Sequence, residues 1–174
     1  MKNEVKVELN KEKASWLKVV VIDFLVALAI VMAANFLIEL DYVDGTSMNP
    51  TLQNGNIYVA LKVHPSDEYG KIATVYVDSE NGRCTKRIIG KGGDTIDIKD
   101  GVVYRNGLAL DEPYTSSPTT PTGDVSFPVT VPEDCYFVLG DNRSMSKDSR
   151  FSDFGMIEKE NLVGLYLFIL PWTK

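Results

Sequence analysis

Histidine and cysteine are scarce in this chain, which has one His and two Cys among 174 residues. With so few nitrogen and sulfur ligands, neither a four-ligand zinc site nor an iron–sulfur cluster can form without carboxylates. Two Cys are also too few for a small disulfide-stapled domain. Basic residues are in deficit too, with 18 Lys and Arg against 24 Asp and Glu. Because phosphate binding needs concentrated Lys and Arg, this balance argues against nucleic acid as a partner.

Hydrophobic residues are concentrated in one run near the N-terminus. Residues 19–38 are apolar at every position except Asp23 and Asn35, and twenty residues rise about 30 Å as a helix, the thickness of a bilayer core. Residues 1–18 carry five Lys and three Glu, and this basic excess predicts that the N-terminus is cytoplasmic. We therefore predict a single-pass cell-membrane protein with a cytoplasmic tail (1–18), a transmembrane anchor (19–38) and an extracytoplasmic domain (39–174).

Two other interpretations of the apolar run are weaker. A cleavable signal peptide has an apolar core of about 7–15 residues followed by a small-residue cleavage site. Here the core is longer, and residues 39–42 read Glu-Leu-Asp-Tyr, without an A-x-A pattern. A buried helix of a soluble protein is rarely apolar on all faces for 20 residues. A retained anchor in contact with membrane lipid is therefore favoured.

Downstream of residue 44, short β-branched and aromatic runs replace the helical periodicity. They are bounded by Gly, Asp, Asn and Pro, as strands are, and they cover residues 57–63, 72–77, 85–89, 95–98, 136–139 and 162–170. Two turn dipeptides, Asp100-Gly101 and Asn106-Gly107, divide residues 95–110 into a three-stranded antiparallel meander. Residues 111–126 contain three Pro and many Ser and Thr, which predicts an exposed loop. The expected fold is mostly β.

The single histidine gives little support to a Ser–His–Asp triad. His64 precedes Pro65 in a turn between two predicted strands, and proline biases the residue before it toward an extended conformation. No segment around it resembles a nucleophile elbow. A solvent-exposed turn histidine is the simpler interpretation.

Three other segments combine hydroxyl, amine and charged residues. GTSMNPTL (45–52) places a Ser before a proline-limited turn, TKRIIGKGGD (85–94) opens an apolar run with a Lys, and GDNRSMSKDSR (140–150) concentrates turn formers and opposite charges. Taken singly, each is compatible with a structural role: a Ser turn, a strand with a snorkelling Lys, and a salt-bridged turn.

Together, and in this order, the three segments resemble those of type I signal peptidases, of the single-span kind typical of Gram-positive bacteria. The resemblance extends from the anchor to the C-terminus. It implies a signal-peptidase-like β-fold and a membrane-bound serine endopeptidase that cleaves N-terminal signal peptides from exported preproteins after small residues (A-x-A). It implies no metal or organic cofactor, and as partners it implies preprotein signal peptides, membrane lipid and transient contact with the secretion translocon.

The resemblance also assigns roles to individual residues. Ser47 would be the nucleophile, Lys86 the general base, and Ser146 would hydrogen-bond and orient Lys86. The backbone N–H of Ser47 would be an oxyanion-hole donor. Since Gly45 stands where some relatives supply a hydroxyl, only backbone donors are expected. An ion-pair scaffold would consist of Arg87, Asp141, Arg143, Asp148 and Arg150. Shallow pockets for small substrate side chains would be lined by Val43, Met48, Leu52, Cys84 and Thr85.

A lysine can act as a base at neutral pH only if its amine is neutral. Its ordinary pKa is about 10.4, and burial against apolar side chains lowers that pKa by several units. Apolar residues near the two proposed catalytic positions could form such walls: Met48, Leu52, Ile88 and Ile89. In the expected extracytoplasmic domain, the nine residues from Ile38 to Ser47 reach about 30 Å at most, so the nucleophile would work close to the membrane.

The two cysteines leave alternatives open. Cys84 lies two residues before Lys86, so both side chains face the same way on an extended strand. This favours Cys84 as a small residue bordering the substrate pocket. A disulfide with Cys135 is compatible with the oxidising side of the membrane, but nothing in the sequence sets the separation of the two.

Three rival functions share parts of this sequence pattern. A self-cleaving repressor-type Ser/Lys protease would carry a DNA-binding helix-turn-helix where this chain has an apolar anchor. A membrane-tethered, non-catalytic factor that binds export or pilus substrates would be expected to lack Ser47 or Lys86, and both are present. A peptidase dedicated to a few surface substrates cannot be separated from a general one by sequence.

Overall fold

A computed structural model describes residues 2–62, 69–80 and 82–171, with side chains from residue 15 onward. His64 and the end of the strand predicted at 57–63 lie outside the described residues. The chain divides into two compact units, Met1–Leu37 and Ile38–Lys174.

The first unit is a single helix, α1 (Lys2–Leu37). Its segment Ser15–Leu37 is long and apolar enough to cross a membrane, by length and composition. No part of the most apolar window is buried within the protein, unlike the core helix of a soluble domain. The helix ends one residue before the predicted anchor does, because Ile38 begins a strand.

The second unit contains a seven-stranded antiparallel sheet. Its members are β1 (Ile38–Tyr42), β2 (Ile57–Leu61), β3 (Ile72–Val77), β4 (Gly82–Lys91), β9 (Cys135–Leu139), β10 (Ile157–Glu158) and β11 (Leu162–Ile169). They lie in the order β1-β2-β11-β3-β4-β9-β10. The strand predicted at 72–77 is confirmed with the same bounds. The one predicted at 85–89 extends further at both ends, since residues 82–84 also pair with β3 and residues 90–91 pair with β9.

A second, four-stranded sheet contains β5 (Thr95–Lys99), β6 (Val102–Arg105), β7 (Leu108–Ala109) and β8 (Val129–Thr130) in the order β7-β6-β5-β8. The predicted meander of β5, β6 and β7 is confirmed. All four residues of its two turn dipeptides have positive φ, between 50° and 84°. Positive φ at both central positions is the conformation that two-residue hairpin turns require.

The seven-stranded sheet curls so that its first strand faces its fifth. Although three strands separate β1 from β4 in the sheet order, Arg83 on β4 forms ion pairs with Glu39 and Asp41 on β1. The curl contains Tyr58 from β2, which is fully buried. The adjoining core cluster holds Val43, Met48, Leu52, Tyr58, Ala60 and Ile72. These contacts bring the ends of β1 and β4 to one place.

The segment 111–126 is a loop, as predicted, but it is not exposed throughout. Thr119 is fully buried, and the carboxylate of Glu112 binds the Arg143 guanidinium. The backbone N–H of Val125 donates to the carbonyl oxygen of Arg150 at 3.1 Å. The prediction of exposure was wrong for these residues, because this loop supplies hydrogen-bond partners to buried arginines downstream.

Candidate active site

Ser47 and Lys86 lie side by side where the turn after β1 meets β4. The Nζ atom of Lys86 is 3.1 Å from Oγ of Ser47, across 39 residues of chain. Ser47 is in the turn that follows β1, where the N–H of Asn49 donates to the carbonyl oxygen of Thr46 at 3.1 Å. Lys86 is in the middle of β4, paired with Ala73 of β3. A tight turn therefore presents the hydroxyl to an amine held on a rigid strand.

The Lys86 amine is held away from water. The residue is 4% exposed, and Nζ lies 5.8 Å from the centre of the Phe154 ring. Its two polar contacts in the described part of the chain are with neutral oxygens, Oγ of Ser47 and the carbonyl oxygen of Thr85 at 3.1 Å. Burial lowers the pKa of Lys86, and it outweighs the opposite effect of nearby anionic groups. The site therefore favours a neutral amine.

Among the described residues, no hydrogen bond joins Ser146 to Lys86, although the resemblance implied one. Its Oγ donates to the carbonyl oxygen of Lys147 at 3.4 Å, and the carbonyl of Thr85 is the second acceptor of the Lys86 amine. Ser146 nevertheless lies next to the site, because a Cβ atom added to Gly140 would stand 2.5 Å from both the Ser146 Cβ and the Ser47 carbonyl oxygen. Glycine at position 140 permits this close approach.

The backbone around Ser47 is positioned by hydrogen bonds from two loops. The N–H of Asn142 donates to the Ser47 carbonyl at 3.0 Å, and the side chain of Asn54 accepts from the N–H of Gly45 at 2.8 Å. The Ser47 N–H itself donates to no acceptor among the described residues. It is therefore available to an oxygen anion that forms beside Oγ.

Buried ion pairs surround the two residues. Arg87 binds Asp141 through two N···O contacts of 2.8 and 2.6 Å, and Arg150 binds Asp148 through contacts of 2.8 and 3.0 Å. The fifth predicted scaffold residue, Arg143, pairs with Glu112. The structure thus brings all five together, although Glu112 was not predicted. The predicted scaffold contained three Arg but only two Asp. One arginine therefore lacked an acidic partner, and this imbalance could have indicated that a further acid was needed.

A groove of about 300 Å³ runs past the Ser47 hydroxyl and the Lys86 amine. One wall is residues 42–48 and the other is residues 83–86, and the remaining lining residues are Glu80, Met145 and Lys147. Four of the five predicted pocket residues line it: Val43, Met48, Cys84 and Thr85. The fifth, Leu52, does not. It is fully buried in the same core cluster as Met48. The turn, in which the N–H of Leu52 donates to the carbonyl oxygen of Met48, directs Leu52 into the core and away from the groove.

Both cysteines are free thiols, so the disulfide alternative is wrong. Cys135 precedes Tyr136, which pairs with Lys91 near the end of β4. Cys84 lies seven residues earlier on that strand, roughly 23 Å away at the rise of an extended chain. As favoured from sequence, Cys84 borders the groove.

Other residues at the site carried no signal in the sequence. The Phe154 ring covers the Lys86 amine, and the Tyr114 ring lies 3.8 Å from the Arg87 guanidinium carbon. Tyr58 hydrogen-bonds to Thr85, next to Lys86. These contacts depend on how distant segments meet.

Comparisons with known proteins identify the family of this chain. The sequence matches the family described as signal peptidase, peptidase S26, over residues 13–172. It is 38% identical over 173 residues to a signal peptidase I of Bacillus licheniformis, covering 92% of this chain and 90% of that protein. It is 35% identical over 178 residues to signal peptidase I S of Bacillus subtilis strain 168, covering 97% and 94% respectively.

A solved structure gives the same result for the fold. The crystal structure of a signal peptidase I from Enterococcus faecalis V583 superposes with a TM-score of 0.50 at 32% identity, covering 59% of this chain and 98% of that one. The family resemblance and the mostly-β fold expected from the sequence are both confirmed. This chain belongs to the signal peptidase family, peptidase S26.

Proposed function

We propose that this chain is a membrane-bound serine endopeptidase that removes N-terminal signal peptides from exported preproteins, with Ser47 as nucleophile and Lys86 as general base. The observation that carries the proposal is the 3.1 Å contact between the Lys86 amine and the Ser47 hydroxyl. A serine hydroxyl is a weak nucleophile until an adjacent base accepts its proton. Lys86 is the base within reach, and its burial favours the neutral form that can accept a proton.

Acylation follows from this arrangement. Oγ of Ser47 attacks the scissile carbonyl carbon while the neutral Lys86 amine takes the hydroxyl proton. When the C–N bond breaks, the Lys86 ammonium returns that proton to the leaving amine, and the signal peptide remains as an ester on Ser47. The free Ser47 N–H donates to the oxygen anion of the tetrahedral intermediate.

Deacylation uses the same base. The neutral Lys86 amine takes a proton from a water molecule, whose oxygen adds to the ester carbon. The bond from that carbon to Oγ then breaks, and Lys86 returns the proton to Ser47. The signal peptide leaves with a new carboxyl group, which loses its proton to solvent, and the enzyme regains its starting state without a metal or organic cofactor.

The groove supports a substrate that binds as an extended strand. The walls formed by residues 42–48 and 83–86 carry backbone groups that an added strand can pair with. Val43 and Met48 line the groove yet are almost fully buried, which leaves only shallow depressions beside Ser47. Shallow depressions accept Ala and exclude larger side chains, so an A-x-A sequence suits this site.

Location and partners complete the proposal. Residues 19–38, which include most of the helical segment that is long and apolar enough to cross a membrane, anchor the chain in lipid. Residues 1–18 remain in the cytoplasm, and residues 39–174 lie on the outer face. The basic excess of residues 1–18 supports this orientation. Since preproteins emerge from the secretion translocon at that face, transient contact with it is expected. Added protease should digest a C-terminal tag on intact spheroplasts and spare an N-terminal one; the reverse pattern would overturn the orientation.

The proposed activity is tested on the full chain in detergent. A preprotein with an A-x-A site is incubated with the parent, Ser47→Ala and Lys86→Ala, and the products are identified by mass spectrometry. Ser79→Ala and Lys71→Ala change exposed residues of the same types and serve as controls. One cut after the second Ala, lost only in the first two variants, is expected. A cut that survives either substitution would remove that residue from the mechanism.

The same assay addresses the alternatives. The relatives reported above are named signal peptidase I, and nothing in those comparisons supports a non-catalytic assembly factor. A folded parent chain that cuts no preprotein would favour that alternative. Cleavage of only a few surface proteins from a preprotein mixture would favour the dedicated peptidase.

A further inference from the structure

A chain of buried hydrogen bonds crosses the curled sheet beneath the groove. Thr74 Oγ1 lies 2.6 Å from Oδ2 of Asp41, and the Tyr58 hydroxyl lies 2.7 Å from Thr74 Oγ1 and 2.9 Å from Thr85 Oγ1. The four residues come from β1, β2, β3 and β4. We refer to Asp41, Thr74, Tyr58 and Thr85 as the buried hydroxyl chain.

The direction in which the hydroxyls donate hydrogen bonds along this chain is set by the carboxylate of Asp41 at one end. An ionised carboxylate only accepts hydrogen bonds, so the Thr74 hydroxyl donates to Asp41. Thr74 then accepts from Tyr58, and Tyr58 accepts from Thr85. Burial raises the pKa of Tyr58, which keeps its hydroxyl protonated as this order requires. Because all three hydroxyls donate in the same direction, each bond polarises the next.

The chain joins the two walls of the groove. Asp41 lies six residues before Ser47, on the strand that leads into the nucleophile turn, and Thr85 is the neighbour of Lys86 on β4. A second connection joins the same two strands, β1 and β4, because Nη1 of Arg83 lies 3.3 Å from Oδ1 of Asp41. The reacting hydroxyl and amine are therefore carried by two segments that these contacts fasten together.

Thr85, the residue at the far end of the chain, contacts the Lys86 amine through its backbone carbonyl. A neutral amine has two N–H groups and one lone pair, and it can take the Ser47 proton only if the lone pair faces Oγ. The Thr85 carbonyl lies 3.1 Å from Nζ, so by accepting one N–H it restricts the rotation of the amine. The Thr85 side chain is held by Tyr58. The main chain that bears this carbonyl is thus tied to Asp41 through two buried hydroxyls.

We propose that Asp41, Thr74 and Tyr58 are positioning residues that hold the Thr85–Lys86 segment in register with Ser47, so that the Lys86 lone pair faces the nucleophile. This inference rests on the proposed function of Ser47 and Lys86. It assigns the orientation of Lys86 to the Thr85 carbonyl and the buried hydroxyl chain, where the resemblance implied Ser146. None of the three lines the groove, and none hydrogen-bonds to Ser47 Oγ or Lys86 Nζ among the described residues.

The test compares hydroxyl deletions with a matched control. Tyr58→Phe and Thr74→Val each remove one hydroxyl with little change of shape. Thr74→Ser keeps the hydroxyl at position 74 and loses only the methyl group. Tyr166→Phe is the control, because that ring packs 5.6 Å from the Tyr58 ring and its hydroxyl is outside the buried hydroxyl chain. We expect kcat to fall about tenfold in Tyr58→Phe and Thr74→Val with little change in KM, while Thr74→Ser and Tyr166→Phe match the parent.

A double variant tests whether the two hydroxyls act as one unit. Because they belong to one chain, Tyr58→Phe/Thr74→Val should be no slower than the slower single variant. If kcat of Tyr58→Phe equals that of Tyr166→Phe, or if Thr74→Ser is as slow as Thr74→Val, the chain is merely structural and the proposal is wrong. A fall in kcat of the double variant equal to the product of the two single-variant falls would also contradict it.

Hydrogen exchange separates this proposal from the proposed function. The amide exchange of residues 43–48 and 83–86 is measured on the same full-length variants in detergent. Faster exchange of both segments in Tyr58→Phe, but not in Tyr166→Phe, is expected, and equal rates would contradict the coupling. This readout needs no turnover. Failure of the proposed function would instead appear as a parent chain that does not cleave its preprotein.

Discussion

The aromatic ring of Phe154 covers the amine of Lys86, with 5.8 Å between Nζ and the ring centre. Phe154 is itself buried in the core cluster that includes Ala73 and Val75 of β3. A hydrocarbon wall therefore stands on one side of the amine and the Ser47 hydroxyl on the other. Exclusion of water by this wall lowers the pKa of Lys86.

The first prediction concerns the pH dependence of cleavage. Since the reaction needs neutral Lys86, kcat/KM should rise with pH to a plateau whose midpoint is well below the ordinary lysine value of 10.5. Phe154→Ala admits water beside the amine and should move that midpoint to higher pH, and Phe154→Leu should move it less. Lys86→Arg should be inactive, because arginine stays charged. An identical midpoint in parent and Phe154→Ala would contradict the assigned role of the ring.

The second prediction concerns the effect of Lys86 on folding. Its pKa is lower in the folded chain than in the unfolded one, so between the two values the unfolded chain binds more protons. The free energy of unfolding should therefore rise with pH through that window, up to about 10.5. Lys86→Met lacks this contribution. It should be more stable than the parent at neutral pH by a margin that shrinks as pH rises, measured by urea unfolding. If the free energy of unfolding has the same pH dependence in the parent and in Lys86→Met, the pKa of Lys86 is not lowered by folding.

The third prediction concerns the close approach at Gly140. An added Cβ would lie 2.5 Å from both the Ser146 Cβ and the Ser47 carbonyl oxygen, so Gly140→Ala must push the nucleophile turn away. A shift of about 1 Å should lower kcat roughly 100-fold. Gly82→Ala is the control, because a Cβ there meets no atom within 4 Å. Equal activity of the two variants in the cleavage assay would refute this explanation.

The fourth prediction concerns the ion pair that was not anticipated. The Arg143 guanidinium is fully buried and binds Glu112 through two contacts of 2.8 Å. Glu112→Gln leaves that cation without its anion and should lower the free energy of unfolding by about 3–5 kcal/mol. Lys99→Gln breaks the exposed pair with Asp97 and should leave stability unchanged. Both variants are measured by urea unfolding. Similar losses of unfolding free energy in the two would mean that the burial of Arg143 does not determine the stabilising effect of its ion pair.

The fifth prediction concerns the thiol in the groove. Alkylation of Cys84 with iodoacetamide should block the substrate path and abolish cleavage, whereas Cys84→Ser should keep its activity after the same treatment. Burial raises the pKa of Cys84, so the rate of inactivation should climb with pH through the neutral range. Cys135→Ser should be inactivated like the parent. A labelled Cys84 in a fully active chain would place the substrate elsewhere.

The two proposed catalytic positions could be identified from sequence because each lies in a long local motif. Most strands could also be predicted, since their alternation and turn residues are local signals. The start of β1 could not be predicted, because its first residue, Ile38, continues the apolar run of the helix. Hydropathy alone cannot separate the end of a helix from the start of a strand there.

The rest of the site depends on contacts between distant segments. The pairing of Glu112 with Arg143 requires a loop 31 residues away to fold back, and the contact between Asp41 and Thr74 requires the sheet to curl. Curvature and register arise from the whole sheet, and no single segment encodes them. The same holds for Leu52, whose motif gave its proximity to Ser47 but not the direction of its side chain.

The most direct test of the account is a titration of the Lys86 amine itself. The detergent-solubilised chain is labelled with ¹³C at lysine Cε, and the Lys86 signal is identified by its loss in Lys86→Arg. Its chemical shift is then followed with pH. The account predicts a pKa well below 10.5 that moves upward in Phe154→Ala. A Lys86 pKa at or above 10.5 would mean that the amine is charged at neutral pH, and it would contradict Lys86 as the general base.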